Sequence, residues 1–256
     1  MSALLNPTTL LLLFFAFVVI PLLRFFKPQI KGWFGEFLVH QLLTRRLDQS
    51  IYRVVGNVML PTEDGTTQID HIVVSRHGIF VIETKNYKGW IFGSERQAKW
   101  TQKIFRVTNS FQNPIHQNYR HIKTLSELTG IPEACFKSTI VFLGDATFKT
   151  EMPVCVMYAG DLAKFIRSHA QVIIQDEQVP EVVAAISAWA GTVSRAQRGQ
   201  HVARLQEKHG AVSAAADAPA CPKCGQSMAL RTKRSGAGQC WGCSTYPRCR
   251  GSREAA

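Results

Sequence analysis

The stretch QIDHIVVSRHGIFVIETKN, residues 68–86, constrains the fold more than any other. Two apolar runs flank a short Arg-His-Gly turn and read as a hydrophobic β-hairpin. Asp70 opens the first run, and Glu83 and Lys85 close the second. These charges are either strand ends facing water or a metal site. Alternation of side chains puts Asp70 on the face of Ile72 and Val74, and Glu83 and Lys85 on the face of Ile79 and Val81. A two-residue His77-Gly78 loop pairs Arg76 with Ile79 and sets Asp70 opposite Lys85. A four-residue loop, Ser75–Gly78, pairs Val74 with Ile79 and sets Asp70 opposite Glu83. Either loop gathers all three charges on one face. A plain three-residue loop separates them unless a bulge restores parity.

The flanking sequence supplies the other layers. A helix is expected over about 32–47, with Phe34, Phe37, Leu38 and Leu42 at helical spacing, after a short linker at 27–31 (KPQIK). IYRVVGNVML (51–60) reads as a strand, and residues 69–75 and 79–84 as two more. A second small hairpin follows over 87–102. Asn113 caps a helix beginning at Pro114 and running to about Leu128. Residues 138–144 and 153–159 are short buried strands, and 161–168 and 180–190 are helical. The order helix, three strands, helix, strand implies a three-layer α/β arrangement.

Two carboxylates on neighbouring strands with a lysine beside them suit Mg²⁺, which takes one or two carboxylates and keeps waters for a phosphate ligand. The lysine can orient the attacking water or offset charge on the transition-state phosphate. A lone acid-x-Lys pair is ordinarily solvated strand-end charge. Asp-x12-Glu-x-Lys across a hairpin, after a helix and a strand, is a far more specific pattern.

That pattern resembles the PD-(D/E)xK nuclease superfamily and, more narrowly, the nuclease-related domain (NERD) family. The matching residues are GWFGE (32–36), GTTQIDHIVVSRHGIFVIETKNYKG (65–89), Trp100 and NPIHQN (113–118), spanning about residues 32–145. The resemblance implies a restriction-endonuclease-like α/β/α core. It implies Asp70 and Glu83 as ligands of Mg²⁺ (or Mn²⁺), Lys85 as the catalytic lysine, Glu36 as an auxiliary acid near the metal, and Gln68 and Gln117 as site-lining residues. The superfamily usually has proline before the first acid. Here Ile69 stands there, which leaves the metal role intact because that proline is structural. Near the site, His71 reads as a packed histidine on the opposite face, and His77 as turn chemistry. Trp90, Trp100 and Phe105 read more readily as core than as base-stacking platforms, and Lys88 and Lys99 as solvated surface.

Five of the seven cysteines fall between 221 and 249. Cys-x-x-Cys spacing favours a metal site in a reducing compartment over a disulfide framework. Cys135 and Cys155, in apolar surroundings, read as buried thiols. Cys221, Cys224, Cys243 and Cys249 give Cys-x2-Cys-x18-Cys-x5-Cys, a closed tetrahedral set for structural Zn²⁺. Spacing alone leaves Cys240 as an alternative to Cys243. WGCSTYPRCR resembles the C-terminal zinc ribbons of type IA topoisomerases, whose pattern selects Cys243 and usually has an aromatic in place of Cys240. Such ribbons bind single-stranded nucleic acid through basic and aromatic groups, here Trp241, Tyr246, Arg231, Lys233, Arg234, Arg248 and Arg250. Trp241 and Tyr246 serve equally well as the module's small core, and a protein-docking ribbon is the plainer alternative.

The charge is lopsided. Residues 191–256 carry eleven Lys/Arg against three Asp/Glu, so +8 of the net +12 sits in the last quarter. A basic tail points to a polyanion, nucleic acid before anionic lipid. At the other end every residue from Leu10 to Leu23 is apolar, counting Pro21. With Thr8, Thr9, Phe25 and Phe26 the run nears the length that crosses a bilayer, with Arg24 snorkelling. A cleaved signal peptide is the rival, but no Lys or Arg precedes Arg24 and no small-x-small site follows. Arg24, Lys27 and Lys31 flank the C-terminal side, so the positive-inside rule puts the rest of the chain in the cytoplasm.

The expected organisation is a transmembrane anchor at 8–26, a nuclease-related domain at 32–190, a basic helical and Ala-rich linker at 191–219, and a zinc ribbon at 220–253. The expected function is Mg²⁺-dependent hydrolysis of nucleic acid, DNA before RNA, at the inner face of a bacterial cell membrane. No helix-turn-helix is evident to read a base sequence. The alternative is a non-catalytic DNA-binding or scaffolding protein at the membrane.

Overall fold

A computed structural model describes residue 6 and residues 20–194, 196–197, 199–201, 203, 219–226, 228–232, 239–243, 245–246 and 248–254. By internal contacts the chain divides into two compact units, Met1–Arg198 and Gly199–Ala256.

The first unit is built on a five-stranded sheet of order β1-β2-β3-β7-β9. Its strands are β1 (Arg53–Thr62), β2 (Gly65–Ser75), β3 (Gly78–Asn86), β7 (Phe136–Leu143) and β9 (Val156–Tyr158). β1, β2 and β3 form an antiparallel meander, and β7 and β9 add parallel strands beyond it. Helices cover both faces. On one, α1 (Ile20–Arg46) and α3 (Leu162–Ser168) bury Val39, Leu43, Leu162 and Ile166 against Val73, Phe80, Ile82 and Val141. On the other, α2 (Pro114–Thr129) and α4 (Gln178–Thr192) bury Ile122, Leu125, Val179 and Ile186 against Ile72, Val74, Ile79 and Val81. Successive residues of β2 and β3 enter different layers, which is why these runs are continuously apolar.

α1 begins well before the expected start and runs straight through residues 27–31. The linker expected there is therefore helix. Pro28 removes one backbone donor without ending the helix, an exception to the usual break. Among the described residues no helix is long and apolar enough to cross a membrane. The expected anchor falls on residues 8–26, of which 8–19 lie outside the described residues.

A second sheet, order β6-β5-β4-β8, is inserted after β3. Its strands are β4 (Gly89–Phe92), β5 (Lys99–Ile104), β6 (Val107–Gln112) and β8 (Ala146–Phe148). The sequence reading reached only the β4–β5 hairpin. The inner face of this sheet buries Ile91 and Trp100 with Ile140 and Phe142. Trp100 stacks on Phe142 with ring centroids 6.1 Å apart. Trp100 is therefore core as expected, but Trp90 is 47% and Phe105 93% exposed. Strand alternation turns Ile91 inward and so Trp90 outward, and Phe105 sits at the turn between β5 and β6. Asn113 caps α2 as expected, its side-chain oxygen accepting from the Ile115 N–H at 2.9 Å. Its amide also donates to the carbonyls of Ser94, Glu95 and Gln97. One buried side chain thus fixes both the helix start and the β4–β5 connection.

In the second unit β10 (Met228–Thr232), β11 (Gln239–Cys243) and β12 (Ser252–Glu254) form an antiparallel sheet. Among the described residues its buried cluster comprises Cys221, Met228 and Cys243, with Trp241 and Cys249 packed against them.

Candidate active site and metal centre

The β2–β3 turn decides the site. Val74 pairs with Ile79 and Ser75 with Gly78, so only Arg76 and His77 lie in the loop. Gly78 has φ of +119°, and a Cβ there would lie 2.9 Å from the Cys135 carbonyl. Glycine is therefore required at this turn. The register extrapolates to Asp70 opposite Glu83, but the ladder stops one pair earlier, at His71–Ile82. Beyond it the Asp70 carboxylate accepts the Thr84 N–H at 2.7 Å. On β1, opposite this point, Asn57 adopts φ of +54°. The sheet thus opens where the acids enter it.

Glu83 is 3% exposed, so its charge needs partners. Lys85 Nζ donates to Glu83 Oε1 at 2.6 Å and to Gln117 Oε1 of α2 at 3.1 Å. α2 is held in place by Asn118, whose amide donates to the Val81 carbonyl at 2.8 Å and to Ser138 Oγ at 2.9 Å. One turn after Gln117, His121 Nδ1 lies 3.7 Å from Glu83 Oε2. Asp70, Glu83, Lys85 and Gln117 thus converge at one end of the sheet. Glu36 of α1 lies within electrostatic reach of both acids. Gln68 is held elsewhere, its amide donating to Asn57 Oδ1 at 3.1 Å. His71 packs against His40 on the α1 side, ring centroids 5.7 Å apart, and burial pushes its pKa down to about 4. It is a neutral core histidine, as its position on the strand implied.

Loss of hydration holds Asp70 well above the ordinary carboxylate range, and the charges of Glu83 and Glu36 push the same way. Burial and Glu83 likewise raise Glu36. Burial works against the Lys85 ammonium, but the charge and hydrogen bond of Glu83 more than offset it, so its pKa is raised. Lys85 is therefore held in its protonated form at neutral pH, as a cation and hydrogen-bond donor to Glu83 and Gln117. Burial lowers His121 despite the pull of Glu83.

The donor set fits a divalent cation. Glu83 Oε2 is buried and, among the described residues, accepts no hydrogen bond; the group that faces it, His121 Nδ1 at 3.7 Å, is beyond hydrogen-bond reach and likewise makes none. An orphaned carboxylate oxygen is costly unless a ligand completes it, and hard divalent ions take oxygen donors of this kind. The metal-free state should then carry a measurable penalty. Asp70 has a folded pKa above its unfolded one, so folding favours its protonated form. Stability falls as pH rises above 3.8, and the full loss is felt above the raised folded value. Asp70→Asn is expected to raise the Tm of metal-free protein at pH 7, by about 2–4 °C per kcal/mol recovered. Divalent metal is expected to raise the wild-type Tm and not the variant's. Calorimetry with EDTA or metal checks both, and a variant less stable than wild type at pH 7 in EDTA would contradict the burial argument.

Sequence reasoning missed His121, Asn118 and Asn57. The first was legible: Gln117 and His121 are four apart on one helix, so they share a face. Asn57 had no signal, because its left-handed backbone follows from the opening of the sheet.

In the second unit the sulfurs of Cys221, Cys224, Cys243 and Cys249 all lie within 4.8 Å of one another. The Cys221–Cys249 and Cys224–Cys243 separations are 3.7 and 3.4 Å. Zinc bound at about 2.3 Å in a tetrahedron sets its sulfurs about 3.8 Å apart, so the set fits. Cys240 stands outside this group. The Gly225 N–H donates to the Cys221 carbonyl at 2.9 Å, closing the first knuckle. A Cβ at Gly251 would meet Cys221 Sγ at 2.2 Å, so the second knuckle admits only glycine. Trp241 packs against the sulfurs, whereas Tyr246, Arg248 and Arg250 are exposed. Arg231 lies on β10, and Lys233 and Arg234 fall outside the described residues.

The nuclease-related domain family matches residues 31–143. An uncharacterized protein of Bacillus anthracis is 42% identical over 199 residues, covering 75% of this chain and 92% of the relative. No solved structure matches. The match spans both acids, the lysine and α2's glutamine, and the chain belongs to the nuclease-related domain family.

Proposed function

We propose that the first unit hydrolyses phosphodiester bonds of nucleic acid, DNA before RNA, with Mg²⁺ or Mn²⁺. The observation that carries this reading is the half-buried Lys85 ammonium held between Glu83 and Gln117, near Asp70 and a buried Glu83 oxygen that accepts no hydrogen bond. Asp70 and Glu83 would hold the ion. When bound, it would polarise the phosphate and lower the pKa of a coordinated water. Lys85, permanently charged, donates to the attacking water or to the phosphate oxygens as negative charge accumulates. Gln117 fixes the lysine, and the raised proton affinity of Glu36 suits it to hold a proton or water at the site's edge. Zinc would support the ribbon, and Tyr246, Arg248 and Arg250 would contact phosphates and bases. The test is cleavage of single- and double-stranded DNA and RNA by the purified chain with Mg²⁺ or EDTA. Metal-dependent cleavage supports the reading; tight binding without cleavage of any substrate favours a scaffold.

The same reading places the chain at a membrane. Trp33, Phe34, Phe37 and Leu38 are exposed on one face of α1, opposite the face that buries Val39 and Leu43. They follow the apolar run ending near Phe26, with Lys27 and Lys31 between and Arg24 just inside the run's end. An aromatic face beside basic residues suits the lipid headgroup region. The full chain should sediment with membranes and resist extraction by high salt, and removal of residues 1–26 should release it. Full solubility of the intact chain would overturn the anchor.

A further inference from the structure

The outer face of the β6-β5-β4-β8 sheet has features that the fold does not need. Trp90 is 47% exposed at its centre. Lys103 lies directly across from it on β5, and Thr147 on β8. The ammonium groups of Lys103 and Lys149 stand 5.8 and 4.8 Å from the Trp90 ring centroid. Thr108 lies across from Lys103, and Ser110 across from Thr101. None of the four strands contains an acid. The face is thus a basic, hydroxyl-rich sheet surface with one indole on it, while the opposite face is core.

The hairpin at its edge adds a second observation. Ile104 pairs with Val107, leaving Phe105 and Arg106 as a two-residue turn. Phe105 has φ of +50° and is 93% exposed. Turns of this length prefer glycine or asparagine at left-handed positions. A bulky aromatic there is strained and buries nothing in return, and strain combined with exposure points to a ligand.

We infer that this face is a platform for single-stranded nucleic acid, with a base stacked on Trp90 and a second apolar contact at Phe105. Lys103, Lys149 and Arg106 would meet the phosphates. This rests on the nuclease reading and names its substrate class. A basic surface with an aromatic on a sheet is the arrangement that holds unpaired bases, since every base has a π-face. Both lysines are exposed and long enough to swing from the ring to a backbone phosphate. The platform is also close to the acids. Only Tyr87 and Lys88 separate β3 from β4, so the α-carbons of Lys85 and Trp90 are at most about 17 Å apart. Gln102 pins this link by donating to the Lys88 carbonyl at 2.9 Å.

The test is fluorescence anisotropy of a labelled single-stranded DNA oligonucleotide with the full chain in EDTA, where no cleavage intervenes. It compares wild type with Trp90→Ala, Trp90→Phe and the double variant Lys103→Ala/Lys149→Ala. Each is also tested together with Tyr246→Ala, Arg248→Ala and Arg250→Ala, so that the ribbon cannot mask the loss. Trp90→Ala should weaken binding roughly 5- to 150-fold, the equivalent of one lost base stack. Trp90→Phe should recover most of it. The double lysine variant should flatten the slope of log K against log salt by about 1.4, from two lost phosphate contacts. Duplex DNA should bind less tightly than single strand and lose less in the variants. Unchanged affinity and salt slope in both backgrounds would overturn the platform, as would equal losses on duplex. Weakened binding in the variants, together with no cleavage by the wild type once Mg²⁺ is supplied, would reject the nuclease reading and leave the platform standing. Cleavage with unaltered binding would do the reverse.

Discussion

Lys85→Met is expected to lower metal-dependent cleavage by about 10²–10³-fold, the loss typical of removing one preorganised donor from developing charge. The argument rests on its protonation. A lysine whose pKa was depressed would be a candidate base; that of Lys85 is raised by Glu83, so the lysine contributes a fixed positive charge. Its pH profile should therefore show no lysine ionisation near neutrality. The variant also leaves Glu83 buried without its cation, and breaking such a pair costs about 3–5 kcal/mol. Loss of activity by unfolding must be separated from loss of chemistry. Divalent metal should restore much of the stability, because the ion replaces the missing charge beside Glu83. A variant that melts near the wild-type temperature in metal, yet turns over at the reduced rate, assigns Lys85 to the reaction. Cleavage at the wild-type rate would remove it from the mechanism.

Removing zinc is expected to unfold the second unit completely. Among the described residues its buried cluster is three residues with two more packed on it, too little apolar surface to offset the entropy of ordering. A four-thiolate zinc site supplies roughly 10–16 kcal/mol of folding free energy. The protein should contain one zinc per chain by elemental analysis. A strong chelator should expose Lys223, Arg231, Arg248 and Arg250 to trypsin while the first unit retains its melting transition. Cys243→Ser should lose the metal and Cys240→Ser should keep it. Gly251→Ala should behave like a ligand mutation, because its new methyl would occupy the space of Cys221 Sγ. Protease resistance that survives chelation would show that something other than the metal holds the module.

Much of this was legible in the sequence because the relevant signals are local. The hairpin register had few solutions, and each of the even loops gathered Asp70, Glu83 and Lys85. Asn113 followed by proline is a helix start by chemistry alone. The failures were non-local. Whether Trp90 or Ile91 faces the core depends on β8 and β7, which lie more than forty residues away in sequence. β8 itself is three residues long, too short to show a period. Gln68 and Gln117 looked alike as polar neighbours of the site. Only the packing of α2, fixed by Asn118, delivers Gln117 to the lysine, while the distortion at Asn57 diverts Gln68. The extent of α1 differs from the expected one because KPQIK (27–31), which reads as a linker, is helix.

That last helix runs from residue 20 into the core of the first unit. α1 carries Glu36 at its middle and enters the core at Val39 and Leu43. From Ile20 to Glu36 an unbroken helix advances about 24 Å, at about 1.5 Å per residue. The auxiliary acid is therefore tied to residue 20 by a strut of set length, and neither can shift along the helix axis without the other.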